Sequence, residues 1–174
     1  MLRARASRAV SFGIVSHPTL GLPPRSLQSG YPDAAERLKT QRVRLAARAL
    51  EVAAAEDATL TIRHDEAGLR NLLRDAEVLV ERLALCVAGD DVHWLKEFAD
   101  QSATVLRRRA VPMDDIVRIC EGLRTGARGV LTGDEMAAAD RALDEAVKVY
   151  RWYRRLSGDA RKRNRILAAL YKGI

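Results

Sequence analysis

Two acid pairs, Asp90–Asp91 and Asp114–Asp115, are the first residues whose types could support acid–base or metal chemistry. Each pair falls in or beside the first turn of an expected helix. Negative charge there complements the free N–H groups and the macrodipole. No partner acid or ligand spacing accompanies either pair, so capping accounts for both. His17, His64 and His93 are scattered, and Cys86 and Cys120 sit inside apolar helical patterns, so no metal-ligand spacing arises. There is no Gly-x-Ser-x-Gly, no HExxH and no Cys–His pair at a suggestive spacing. The chain reads as a non-enzyme without metal or cofactor.

Two further segments carry chemistry of a different kind. His93 lies in Val92-His93-Trp94-Leu95-Lys96. This resembles the histidine phosphotransfer motif, in which an exposed imidazole takes a phosphoryl group and the Lys offsets its charge. That family has a small residue after the Lys, where this chain has Glu97. Glu97, Asp90 and Asp91 would all oppose a phosphoryl group, so an ordinary surface or half-buried His is the favoured reading. The run Arg161-Lys162-Arg163-Asn164-Arg165 could grip phosphates. With Ile166, Leu167, Leu170 and Tyr171 it makes a basic amphipathic helix, which could also lie on a membrane or a partner, a solvated helix face being the favoured reading. Aromatics placed to stack on bases are absent from it.

The elements that would position these residues are helical. From residue 32 on, Ala, Leu, Arg and Glu dominate, all good helix formers. A first helix is expected over residues 32–56, with Leu38, Leu45, Ala49 and Val52 at helical spacing. Residues 59–63 read as a connector. Asp65 caps a second helix with Leu72, Ala76, Leu79, Leu83 and Val87 on its stripe, and Gly89 ends it. A third opens at Asp90 or Asp91, carries Trp94, Leu95, Phe98, Ser102, Val105 and Leu106, and ends at Arg107–Arg109. Pro112 starts a fourth, with Ile116, Ile119, Cys120, Leu123, Ala127 and Val130 apolar, stopped by Gly133. Asp134 caps a fifth with Leu143, Ala146, Val147, Tyr150, Tyr153 and Leu156. Residues beyond Gly158 form a sixth, short and basic. The fold class is all-α, about six helices in a bundle or globin-like packing. Gly122 and Gly126 share a face of the fourth helix, which permits close approach of another helix, within the fold or in a homodimer.

Composition sets the frame. The chain has 174 residues, 48% hydrophobic and 30% charged, enough for one folded domain with a core of its own. No apolar run reaches the roughly 18 residues of a transmembrane helix. Two cysteines point to a reducing, cytoplasmic setting rather than to a disulfide framework. Net charge is +7 and unevenly spread. Residues 1–30 hold Arg3, Arg5, Arg8 and Arg25 and no acid, residues 31–150 are mildly acidic, and residues 151–174 set eight basic residues against Asp159. Residues 1–30, with Pro18, Pro23 and Pro24, read as a flexible basic tail, a transit segment or a misassigned start. Residues 31–174 read as a single helical domain ending in the basic helix. A nucleic-acid binder usually spreads basic residues over one face of its body, and here they gather at the ends.

The segment from Ala99 to Leu131 carries a second resemblance. Three arginines precede Ala110-Val111-Pro112-Met113-Asp114-Asp115-Ile116, and a helix with Leu123 and Ala127 follows. It is similar to a stretch of bacterial globin-related sensor domains and of the N-terminal domains of RsbR-type stressosome regulators, which are non-haem globin relatives. The resemblance spans residues 60–170. The haem-binding relatives place a proximal His where this chain has Leu106, so the resemblance implies no haem. Ala110 stands where the family has Gly. The resemblance further implies a pocket filled by side chains or by an apolar ligand, with Trp94, Phe98, Leu106 and Cys120 as lining candidates or as plain core. It implies a regulatory or sensory module in stress-response signal transduction, homodimeric and acting through a protein partner or an attached output domain. The end at Gly173-Ile174, straight after a basic helix, suggests a fragment. The alternatives are a nucleic-acid-binding protein using Arg161, Lys162, Arg163 and Arg165, and a phosphotransfer protein using His93.

Overall fold

The computed structural model describes residues 30–157. Among them the chain is all helical. The seven helices are α1 (Pro32–Thr40), α2 (Arg42–Glu56), α3 (Leu60–Arg63), α4 (Glu66–Gly89), α5 (His93–Arg108), α6 (Met113–Ala127) and α7 (Gly133–Ser157). Arg161, Lys162, Arg163 and Arg165 lie outside the described residues, as does all of the expected tail except Gly30. No described helix is long and apolar enough to cross a membrane.

Several boundaries differ from expectation. The helix expected over residues 32–56 is two, meeting at Gln41, whose N–H donates to the carbonyls of Arg37 and Lys39. Both pieces keep their apolar residues inward, with Leu38 and Leu45 buried. An interruption that keeps the buried face leaves no trace in periodicity. The expected connector at residues 59–63 forms α3. Asp57 nucleates it by accepting the Thr59 N–H at 3.0 Å and the Thr59 hydroxyl at 2.5 Å, an Asx turn. Asp65 caps α4 as expected, accepting from Gly68 N–H at 2.7 Å.

Gly89 closes α4, but the left-handed residue of that stop is Asp90, with φ of 46°. The Asp91 N–H then reaches back to the Cys86 carbonyl at 3.0 Å. Asp90 therefore belongs to the end of α4, and Asp91 supports the start of α5 by accepting the His93 N–H at 3.1 Å. α6 ends at Ala127, six residues short of Gly133, and Gly133 is instead the first residue of α7. The cap there is Thr132 with Glu135 rather than Asp134. The Thr132 N–H donates to Glu135 Oε2 at 2.7 Å.

α4 lies at the centre, against α1, α2, α5 and α7, and α6 is held between α2 and α7. The α2–α6 crossing is very close. A Cβ on Gly122 would stand 2.5 Å from the Ala49 carbonyl oxygen and 2.8 Å from its Cα. The glycine pair thus serves a contact inside the fold: Gly122 meets the α2 backbone, while Gly126 faces only side-chain carbons of Leu45 and Arg48. Arg124 fastens the α6–α7 pair, reaching Asp140 at 2.6 Å and Asp144 at 2.5 Å. Arg37 ties α1 to the α6–α7 turn through Glu135 at 2.6 Å and the Val130 carbonyl.

The α5–α6 turn is a Schellman closure. Val111 N–H donates to the Leu106 carbonyl and Ala110 N–H to the Arg107 carbonyl, each at 3.0 Å. Ala110 is left-handed, with φ of 56°, a conformation that costs an L residue about 1 kcal/mol or more.

Three outcomes follow from this geometry. Ala110→Gly relieves that cost and raises stability by about 1 kcal/mol, measured by thermal or urea unfolding. Gly122→Ala lowers it by about 1–3 kcal/mol although Ala is the better helix former, because backbone must move. Gly126→Ala is close to neutral in the same assay, since the Leu45 methyl 3.3 Å away can turn aside.

Candidate functional site

The residues singled out in the sequence do not meet in one place. Trp94, on α5, is 46% exposed and points to solvent, edge-on to the His93 ring at 6.2 Å. Phe98 is half-buried, with the Arg82 guanidinium 5.8 Å from its ring centre. Phe98 and Leu106 do line a common cavity with Ser102, Ile119 and Tyr150, but its volume is only about 20 Å³. That is the space of one water, so side chains fill this part of the core. The Tyr150 hydroxyl is hydrogen-bonded to Ser102 Oγ at 2.9 Å, and burial raises its pKa. Cys120 is buried in α6 and does not line that cavity, although it neighbours Tyr150; burial pushes its thiol up to about 12. Burial likewise lifts Cys86 to about 11. Both are inert packing thiols at neutral pH.

His93 is exposed and lies 3.3 Å from Glu97 Oε2, an ordinary i,i+4 pair. The acid after the Lys is therefore the imidazole's own neighbour. A phosphoryl group there would meet a carboxylate.

The polar centre of the molecule lies elsewhere. Asp115, expected as a helix cap, is fully buried in the first turn of α6. Its neighbour Asp114 turns outward to Arg154 of α7 at 2.8 Å. Asp115 Oδ1 accepts from Arg63 Nη2 at 2.5 Å and from Arg118 Nη1 at 3.4 Å. Its Oδ2 accepts from His64 Nε2 at 2.8 Å. A buried carboxylate is tolerated only when its charge and lone pairs are met in this way. Asp57 extends the cluster, 3.1 Å from both Arg63 and Arg118. The hydrogen bond from the Thr59 hydroxyl, aided by the Thr59 N–H and by Arg63, lowers the Asp57 carboxyl to about 2 against partial desolvation. For Arg63, desolvation pulls the pKa down, and the hydrogen bonds and charges of Asp115 and Asp57 outweigh it, so the net shift is upward.

α3 and its C-cap supply Arg63 and His64, and α6 supplies Asp115 and Arg118. Outside this cluster opens a cleft of about 990 Å³, bordered by residues 61–65, by Ala67, Gly68 and Asn71 of α4, and by the turn from Arg109 to Pro112. His64 is its inner wall, with a side chain only 10% exposed. Arg109, on the facing turn, is paired with Asp75 at 2.9 Å. Among the described residues no group of three His, Cys, Asp or Glu is arranged to hold a metal ion.

Sequence reasoning passed over Arg63, His64 and Arg118, and took Asp115 for a cap. One signal was available. Asp115 precedes Ile119 by four residues, so it falls on the apolar stripe of its own helix, where a charge needs a partner. No protein-family model matches the chain, and no curated protein matches its sequence.

The Asp57 shift sets the acid limb of stability. Its folded pKa lies below the unfolded 3.8, so its contribution is complete above that value and disappears as pH falls toward 2. Urea unfolding at stepped pH will show the wild type losing stability over this range. In Asp57→Asn stability is lower at pH 7 and the fall between pH 4 and pH 2 is shallower.

Proposed function

We propose that the chain is a helical regulatory or sensory module that works through protein contacts, as a homodimer, and uses neither haem nor a catalytic step. The observation that carries this reading is an outward apolar pair at the end of α7. Trp152 is 48% exposed and Leu156 56% exposed. They stand four residues apart near the end of α7, past the buried row of Leu143, Ala146 and Tyr150. Leu156 had been expected on that buried row. Arg151 and Arg155 are exposed beside the pair, and Trp152 is braced edge-on by Tyr153 at 4.8 Å. A fixed indole beside an aliphatic chain, rimmed by Arg, has the composition of a contact hot spot.

The sensory part of the reading rests on the resemblance over residues 60–170, and Leu106 at the place of the iron ligand supports the absence of haem. The small cavity beside Phe98 and Leu106 supports a side-chain-filled core over an apolar ligand.

Light scattering on the full chain as it elutes from a sizing column checks the proposal. The expected mass is twice the 19.3 kDa of the chain. Trp152→Ser with Leu156→Ser gives the monomer with an unchanged melting temperature, because neither side chain touches the core. A monomeric wild type, or a double variant that stays dimeric, would sink this reading.

A further inference from the structure

α4 is flanked on two sides, and the strip between the flanks faces solvent. On one flank Arg42, at the start of α2, reaches Glu77 at 3.4 Å and also Glu81. On the other, Arg82 lies over the Phe98 ring of α5, and Asp75 meets Arg109 at 2.9 Å. Between them Arg74, Val78, Arg82 and Leu85 follow one another along α4 at helical spacing. Arg74 is exposed and the other three are half-buried. α5 sets a second row beside the first, formed by Trp94, Phe98, Val105 and Arg108. Of these only Phe98 is half-buried, and the rest are exposed. A recess of about 360 Å³ opens next to Leu85, between Lys39, Arg42, Glu81 and Arg82. Two neighbouring rows with an exposed indole, aliphatic side chains and a recess have the form of a helix-binding groove.

The charge of this face is uneven. Glu77 and Glu81 are held by Arg42, Asp75 by Arg109, and Glu97 lies against His93 and the Gln101 amide. Among the described residues no carboxylate is paired with Arg74, Arg82 or Arg108. Three guanidiniums therefore stand along an apolar strip with their charge unmet.

The segments of this chain outside the described residues have the wrong sign to meet it. Residues 1–29 hold Arg3, Arg5, Arg8 and Arg25 and no acid, and residues 158–174 hold six basic side chains fewer one, Arg161, Lys162, Arg163, Arg165 and Lys172, against Asp159. A second copy docked through the same face by a two-fold axis sets the arginines against one another. A nucleic-acid backbone brings charge but no aliphatic surface for Val78, Leu85 and Val105. What fits is a protein segment that is apolar on one side and acidic on the other.

We propose that the α4–α5 face docks an acidic amphipathic helix of a partner protein, with its apolar side on Leu85, Phe98 and Trp94 and its carboxylates on Arg74, Arg82 and Arg108. Resting on the reading of the chain as a contact module, this gives the module a second surface apart from the pair on α7.

A fluorescein-labelled synthetic helix of about 18 residues, leucine on one side and glutamate with alanine on the other, tests the assignment. One control peptide carries lysine for glutamate, the other serine for leucine. Anisotropy is read with the full chain, as wild type and as Trp152→Ser with Leu156→Ser. Trp94 is the sole tryptophan of that double variant, and its emission is expected to shift to the blue on binding. The acidic helix is expected to bind both proteins equally, in the micromolar range, and each control about tenfold more weakly. Trp94→Ser, and separately Arg82→Gln with Arg108→Gln, each weaken it about tenfold while the circular dichroism is unchanged. An acidic helix that has not bound by about 1 mM overturns the proposal. So does a control peptide, or either set of variants, that binds as tightly as the original pair. Binding lost in the α7 double variant places the helix on α7 and overturns it too. A thymidine oligonucleotide that displaces the helix with the same Trp94 shift assigns the face to nucleic acid instead. A wild type that is monomeric by light scattering yet binds the acidic helix sinks the homodimer alone.

Discussion

A carboxylate without access to water imposes conditions on everything near it. Asp115 is such a group, and its solvation must come from the protein itself. Arg63, His64 and Arg118 provide it, and the first two belong to the short segment between α2 and α4. Of the large apolar side chains of that segment only Leu60 is buried, Ile62 standing in solvent, so hydrophobic burial alone would hold it poorly. The ion cluster holds it against α6, and the Asx turn at Asp57 sets the direction in which it leaves α2. The orientation of His64 and the shape of the cleft are consequences of that requirement.

The remainder of the body is held by close helix contact. α2 presents Ala46, Ala49 and Ala53 to its neighbours, and α6 answers with Gly122, so their backbones touch. Small residues bury little area each, but they let many backbone and side-chain atoms reach van der Waals distance. The many arginines stand on the periphery and bridge elements, as Arg124 does between α6 and α7 and Arg37 between α1 and the α6–α7 turn. Exposed pairs of this kind contribute at most about 1 kcal/mol each, so they select geometry more than they supply stability.

The cleft and the outward face of α7 are separate surfaces, and the first turn of α6 touches the neighbourhood of both. Asp115 points inward to His64, while Asp114 reaches Arg154, which lies between Trp152 and Leu156 in the chain. One helical turn thus carries two adjacent acids that turn to different neighbours.

Helical periodicity was enough to read the all-α class, the Asp65 cap, the end of α4 near Gly89 and the buried stripes of α4 and α6, because those features follow from spacing along one helix. It did not show the interruption at Gln41, since both halves bury the same face. It placed Leu156 on the core side of α7, since a residue near the end of a helix extends beyond the neighbours that would cover it. The two acid pairs were read alike from their helix-start positions, and tertiary structure split them: Asp90 took a left-handed stop and Asp115 went into the interior. Spacing also allowed Gly122 to serve either a dimer or an internal crossing, and only the position of α2 decided. His64 and Asp115 are 51 residues apart, and no local pattern can announce a pair that two separate elements bring together.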